Sequence, residues 1–304
     1  MEKKIHKTLF ILTIILLSFP TFQQYTFDLK SLTGVNEKVD VPKLTFENYS
    51  SMTFQSQVDK YLNYNFGFRE WLVPLYNQYA WDFYGKIEHK DIFFGKENWL
   101  YFYEMIKEQY ESLTYKYAKS SEGMRDILER DAQNVYRLQE LLKDYNTTLF
   151  VCIPPGKNDI MPEYLPDKQA DFRKDGIHAY DFYVNRFTEL GVNFLDLNQL
   201  YKSMKGNVSY PLFYKGGSHY SHISATYSAD TLVRYMEEIS GHNIQDFTFS
   251  EPVVHAPKKI DRDMEALFNL MRPLVNETYY YVNIIPTPGS TAEKVRWLTI
   301  GDSF

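Results

Sequence analysis

The chain has 304 residues, 24% charged and 44% hydrophobic, with 33 Lys plus Arg against 39 Asp plus Glu and a net charge of −6. That length suits one large domain, or one domain with a small attached module, and the mildly acidic balance excludes the basic footprint of a nucleic-acid binder. The aromatic share of 17% reads as a Tyr-rich core and surface, with sugar-stacking platforms as the functional alternative.

Lys3, Lys4 and Lys7 precede an uncharged stretch from Thr8 to Phe27. A bilayer crossing needs about 20 such residues, and lysines before the stretch place the N-terminus in the cytoplasm. Ser18 to Gln24 lacks the small-residue pattern of a cleavage site. The expectation is a retained single-pass signal anchor over residues 1–27 in the cytoplasmic membrane. The main domain then lies outside the cytoplasm, periplasmic or at the cell surface.

Residues 28–53 are polar, contain Gly34 and Pro42, and read as a juxtamembrane linker. An aromatic-rich stretch from Phe54 to Tyr84 predicts a helix in its second half. Phe93 to Phe102 has apolar runs on both sides of a Gly-centred turn, a hairpin pattern. Leu128, Ala132, Val135, Leu138 and Leu142 recur at helical spacing and predict an amphipathic helix. Thr147 to Ile153 predicts an apolar strand, within which Cys152, the only cysteine, reads as a small buried hydrophobe. A helix follows over Gly176 to Leu190, a strand over Val192 to Leu195, and a helix over Ser221 to Ile239 closed by Gly241. Val295 to Ile300 predicts a last strand, running into Gly301-Asp-Ser303. Alternating helices and strands point to an α/β domain over residues 54–304 with a mostly parallel sheet, whose sites collect beyond the carboxyl ends of the strands.

Chemistry-bearing residues sit at those ends. Ser303 follows an apolar run and a glycine, and a serine hydroxyl needs an adjacent base to act as a nucleophile. His219 follows two glycines at the start of a helical pattern and is the candidate base, with His222 as its competitor. Lys157 and Asn158 follow the strand ending at Ile153 and read as donors to an oxyanion or to sugar hydroxyls, with a solvent-facing loop as the alternative. For the acid of a triad, Asp196 and Asp302 are the candidates, and a Ser–His dyad is the safer reading. No metal or other cofactor is expected.

These residues belong to five blocks in a recognisable order. They are Asn65-Phe-Gly-Phe-Arg-Glu70, Asn98-Trp-Leu-Tyr-Phe102, Pro155-Gly-Lys157 with Pro162-Glu-Tyr-Leu-Pro166, Gly217-Ser-His-Tyr220 with Ala225, and Gly301-Asp-Ser-Phe304. In this the chain resembles the alginate O-acetyltransferase family. The resemblance implies a permuted SGNH-hydrolase-like three-layer α/β/α fold and a serine-dependent transfer of acetyl onto an exported or cell-surface polysaccharide. It implies Ser303 as nucleophile and His219 as base, with Gly301 and Tyr220 beside them. It also implies a membrane-bound O-acyltransferase that relays the acetyl group; no nucleic-acid partner is expected, on the charge balance alone. The chain departs from the family pattern where an aspartate is expected, at Gly217, and where a tryptophan is expected, at Tyr220. It ends one residue past Ser303 and reads as an incomplete copy, so enzymatic activity is expected of a chain extending beyond Phe304. The alternatives are a carbohydrate esterase with the same site and a non-catalytic glycan-binding or scaffold subunit of an export system.

Overall fold

A run of apolar side chains with no acidic or basic residue between Lys7 and Asp28 has one low-cost solution outside water, a helix that satisfies its own backbone. In the computed structural model, which describes residues 2–34, 39–110, 121–167, 178–287 and 292–301, this run is helix α1 (Glu2–Thr26). Within Lys3–Thr26 its most apolar 18-residue window has a mean hydropathy of 1.7 and no buried residue, and α1 is the one helix among the described residues long and apolar enough to cross a membrane. The chain divides into two units, the first comprising Met1–Ile87 with Ala266–Pro273 and the second Glu88–Glu265 with Leu274–Phe304.

In the first unit α1 is followed by α2 (Phe46–Ser50), α3 (Phe54–Asn65) and α4 (Arg69–Tyr84). Thr45 and Asn48 cap α2 reciprocally, and Gly85 ends α4 in the left-handed conformation at φ 61°. Gly67 is required between α3 and α4, since a Cβ there would lie 1.8 Å from the Pro20 carbonyl oxygen. Phe68 is held at φ 60°, and its ring centroid packs 5.0 Å from that of Phe19.

The second unit opens with the expected hairpin, β1 (Ile92–Phe94) against β2 (Leu100–Phe102), antiparallel. Helices α5 (Tyr103–Tyr110) and α6 (Ser121–Lys143) follow. On α6, Leu128 and Ala132 are buried as the spacing predicts, whereas Leu138 is exposed and its neighbour Gln139 is buried instead. Gln139 turns inward to bond Gly191 O and Asn193 N, which fixes the turn that leads into the strand starting at Phe194. Strand β3 (Val151–Ile153) is shorter than expected and leads into the one-turn helix α7 (Lys157–Ile160). Helix α8 (Ala179–Leu190) packs on α6 through Ala132, Phe187 and Val192. Strand β4 (Phe194–Asp196) pairs with β3 in parallel, and α9 (Leu197–Met204) follows at once. Helix α10 (His222–Ser240) has Ser221 as N-cap and Gly241 as left-handed C-cap, as the sequence predicts.

The rest of the second unit departs from expectation. Short strands β5 (Phe247–Phe249), β6 (Val253–His255), β7 (Tyr279–Tyr281) and β8 (Ile284–Pro286) pair as β5–β8 and β6–β7, both antiparallel. Of the four strand pairs among the described residues only β3–β4 is parallel, so the mostly parallel sheet is not what these residues form. The predicted strand over 295–300 is irregular chain, with Leu298 and Ile300 exposed and no ladder partner among the described residues. Cys152 is exposed rather than buried, because alternation along β3 turns it away from the face that half-buries Val151 and Ile153. Between β6 and β7 lies α11 (Asp263–Ala266), preceded by a 3-10 turn at Lys259–Arg262.

Candidate active site around His219

His219 precedes the N-cap of α10 by two residues and its side chain is about one-fifth exposed. Asp263, the first residue of α11, faces it. Asp263 Oδ1 accepts from the Ser218 backbone N–H at 2.7 Å, and Oδ2 lies 2.5 Å from Ser218 Oγ and 3.3 Å from His219 Nδ1. Ser218 Oγ is in turn 2.9 Å from His219 Nδ1. Burial pushes the Asp263 carboxyl up, but bonds from His219 and Ser218 outweigh it and hold it below its ordinary value. Asp263 is therefore an acceptor-only carboxylate at neutral pH, and the single Ser218 hydroxyl proton goes to it. The contact between Ser218 Oγ and His219 then requires Nδ1 to carry the other proton. That tautomer leaves the lone pair on Nε2, the nitrogen that serves as base in a serine-dependent site.

The two glycines before Ser218 explain how α11 comes this close. A Cβ on Gly217 would meet Asp261 O at 2.6 Å, and one on Gly216 would meet Glu265 Oε2 at 2.8 Å. The space an acid at position 217 would need is occupied by the 260–261 backbone. The carboxylate comes instead from 263.

A buried network fixes that backbone. Asp261 Oδ2 accepts from Lys258 N at 2.6 Å and from the Tyr281 hydroxyl, tying the turn to β7. Glu265 pairs with Arg262, accepts from Leu274 N at 2.5 Å, and donates its own N–H to Gly216 O at 3.0 Å. Glu277 holds the Lys215 N–H at 2.9 Å, and burial raises its carboxyl above the ordinary value.

Lys157 completes the scaffold from the other side. Its Nζ donates to Leu100 O at 2.9 Å, Lys215 O at 2.9 Å and Gly217 O at 2.7 Å, and lies 5.1 Å from the Trp99 ring. Three acceptors match the three N–H bonds of an ammonium. Burial pulls its pKa down to about 7, while Glu277 and Asp263 pull it back up. This side chain is only 2% exposed and is spent on the loop that carries His219, so the expected oxyanion or sugar contact is replaced by a structural one.

The other sequence-derived residues fall as follows. Asn158 is buried beside Lys157, with its amide 3.5 Å from Met105 O. Tyr220 is half-buried between Tyr201 and Phe213 and bridges the Phe213 backbone. Gly301 is exposed in irregular chain. Asp302 and Ser303 lie outside the described residues. His222 packs its ring 5.1 Å from that of Tyr281, and burial lowers its pKa. Asp196 is not the acid of this site: it caps α9 through the Gln199 N–H at 3.1 Å and accepts from the Tyr180 hydroxyl at 2.7 Å. Sequence reasoning brings His219 to the site and misses Asp263 and Ser218. The Gly216–Gly217 pair is the available signal, since two adjacent glycines before a catalytic candidate mark a close backbone approach.

The profile of the SGNH hydrolase-like domain of acetyltransferase AlgX matches residues 92–278, more than half of the chain. The chain belongs to this family. Among solved structures it is similar to the O-acetyltransferase domain of Pseudomonas putida AlgJ, at 14% identity and TM-score 0.44 over 65% of this chain and 66% of that one. It is also similar to Pseudomonas aeruginosa AlgX, at 17% identity and TM-score 0.41 over 66% of this chain and 44% of that one. Bacillus cereus PatB1 matches at 15% identity and TM-score 0.34, over 53% of this chain and 51% of that one. The chain thus spans about two thirds of the AlgJ domain and about half or less of the other two. Among curated proteins none matches. Within the AlgX-like fold, His219 and its two partners all lie inside the matched span, whereas Ser303 lies beyond it.

Proposed function

We propose that this AlgX-like chain is an O-acetyltransferase that moves acetyl onto a hydroxyl of an exported or cell-surface polysaccharide through an acetyl-serine at Ser303. The observation that supports this reading is the Asp263–Ser218–His219 arrangement, which fixes His219 in the tautomer a base requires. In the first half-reaction Ser303 Oγ attacks the acetyl carbonyl of the donor ester. His219 Nε2 takes the hydroxyl proton and returns it to the departing donor oxygen. In the second, a sugar hydroxyl attacks the acetyl-serine, loses its proton to Nε2, and Ser303 is regenerated as an alcohol. Asp263 stays ionised throughout and stabilises the imidazolium formed in each half.

In this reading α1 is a retained anchor and the matched domain works outside the cytoplasm. A membrane-bound O-acyltransferase is the donor relay and residues 54–304 form the acetyltransferase domain. The test is acetyl-enzyme formation on the full chain incubated with an activated acetyl ester. Mass spectrometry is expected to find acetyl on the peptide containing Ser303, and Ser303→Ala and His219→Ala are expected to abolish it. Undiminished acetylation in Ser303→Ala would overturn the assignment.

A further inference from the structure

Helix α4 is built inside out. Its single buried residue is Gln78, which donates to Asp82 at 2.9 Å and accepts from the Arg272 N–H at 3.0 Å. Asn77 donates to Phe268 O at 2.7 Å, and Asp82 pairs with the Arg272 guanidinium. Phe268 and Arg272 both lie in the 266–273 segment of the same unit. Asn77 and Gln78 thus face the 266–273 segment, and Asp82, though exposed, is tied to it through Arg272. Leu72, Leu75, Tyr76, Tyr79 and Phe83, at helical spacing along one stripe, face outward, and Tyr76 and Phe83 are about 70% exposed. A soluble surface helix shows the opposite arrangement. A contiguous apolar stripe of this kind marks an interaction surface.

The covering is set by what touches the start of α4. The Phe68 N–H donates to Gln23 Oε1 at 2.6 Å, and the Phe68 ring packs against Phe19, Phe27 and Trp71. Pro20 sits against Gly67. Residues 19–26 are the last turns of α1 and Phe27 follows directly, the end at which a span of this length leaves the hydrocarbon. With α1 as the retained anchor proposed above, the first turn of α4 is held at the depth of the interface. The groove between α3 and α4 continues the same surface with Leu62 and Phe66, and its one charged side chain, Arg69, lies over the Tyr64 ring. The stripe itself carries no charge. Tyrosine, tryptophan and phenylalanine on a short helix at that depth match the aromatic belt of membrane proteins and the apolar face of an interfacial helix.

We infer that α4 lies on the bilayer that α1 crosses, with Leu72, Leu75, Tyr76, Tyr79 and Phe83 at the boundary between headgroups and acyl chains. This surface is independent of the acetyl-transfer chemistry. It gives the chain a second membrane contact beside the anchor, one that restricts the first unit's rotation about α1.

The experiment uses the full chain in lipid nanodiscs, in a Cys152→Ser background, with nitroxide labels on Tyr76→Cys and Phe83→Cys and an aqueous reference label on Asp144→Cys. Labels 76 and 83 are expected to be accessible to dissolved oxygen, with about tenfold less access to a water-soluble nickel chelate than label 144. Equal nickel access at all three sites would put the stripe in water and overturn the assignment. Protection from both oxygen and nickel would show a protein cover, such as a second copy, and overturn it equally. Trp71 offers a second readout that leaves the stripe unchanged. Brominated lipids are expected to quench it in the parent chain, and Trp71→Phe is expected to remove that quenched fraction. Quenching that is the same in Trp71→Phe would refute lipid contact at the start of α4.

Discussion

Replacing Asp263 with asparagine tests the site at its narrowest point, because the side chain keeps its shape and loses its charge. The amide introduced by Asp263→Asn would retain one oxygen, enough for the Ser218 N–H, and would turn its NH2 toward Ser218 Oγ. The Ser218 hydroxyl, now receiving a proton instead of giving one to the carboxylate, points its own proton at His219 Nδ1 from 2.9 Å. The imidazole switches to the Nε2–H tautomer and can no longer accept the nucleophile's proton. In a serine protease triad the same exchange lowers kcat by about 10⁴, and a loss of that order is expected here in acetyl transfer. Two bonds to a charged group, worth about 1.5–3 kcal/mol each, become neutral bonds worth about 0.5–1.5. The folded state should lose about 2 kcal/mol, or roughly 4–8 °C in a unit of this size. The assays are acetyl-enzyme formation, a thermal melt, and nitrogen-15 NMR of the His219 ring, which reports which nitrogen carries the proton. Asp263→Asn with the wild-type tautomer and more than a tenth of the wild-type rate would refute the reasoning.

Moving the acid to position 217, where the sequence resemblance expects it, should fail: Gly217→Asp combined with Asp263→Asn is expected to stay inactive. Even Gly217→Ala should lower stability by about 1–3 kcal/mol, the range for overpacking, since its Cβ would lie 2.6 Å from Asp261 O. Lys157→Met takes a donor from three carbonyls, of which Lys215 O keeps the Leu100 N–H. Each one left unpaired costs about 1–3 kcal/mol, offset near pH 7 by about 5 kcal/mol for no longer burying a charge whose pKa falls from 10.5 to about 7. Between those two values the unfolded wild type binds more protons than the folded form, so wild-type stability rises with pH. The melting temperatures of wild type and Lys157→Met should nearly coincide at pH 6.5 and separate at pH 9; a constant gap would contradict this account. Asp263 acts with the same sign in a more acidic window. Its depressed folded pKa contributes stability above the ordinary carboxylate range that is lost as pH falls through the folded value. Acid unfolding followed from pH 6 to pH 3 should therefore be shallower in Asp263→Asn.

The parts of the fold legible in the sequence are those with long periods and explicit ends. Helix α10 is readable because Ser221 and Gly241 bracket an unbroken pattern, and the hairpin β1–β2 because apolar runs flank a Gly-centred turn. Strands β5 to β8 are not, since three-residue segments are too short for alternation to register. Asp196 stands at a strand end, where a catalytic acid could sit, yet its spacing to Gln199 carries the signature of a helix cap. Leu138 fits a helical stripe, but the chain buries Gln139 because the turn entering β4 needs its amide. Asp263 is invisible for a different reason. It lies in a polar stretch with no periodicity, and only folding brings it to His219. The apolar run at 295–300 reads as a strand, but a strand exists only where a neighbour completes its hydrogen bonds.

An acid two residues before its histidine would stay beside it in any short peptide. Here the pair is joined only by closing the long excursion of chain from 219 to 263 through α10, β5 and β6. Closing a loop of that size carries an entropic cost that must be met before the carboxylate can orient the imidazole. On the proposed function, competence to react is thus a property of the whole second unit. On the same reading, a protease cut within the exposed 251–257 segment that contains β6, or local opening of the Asp261–Tyr281 tie, would disarm the base well before the helices melt.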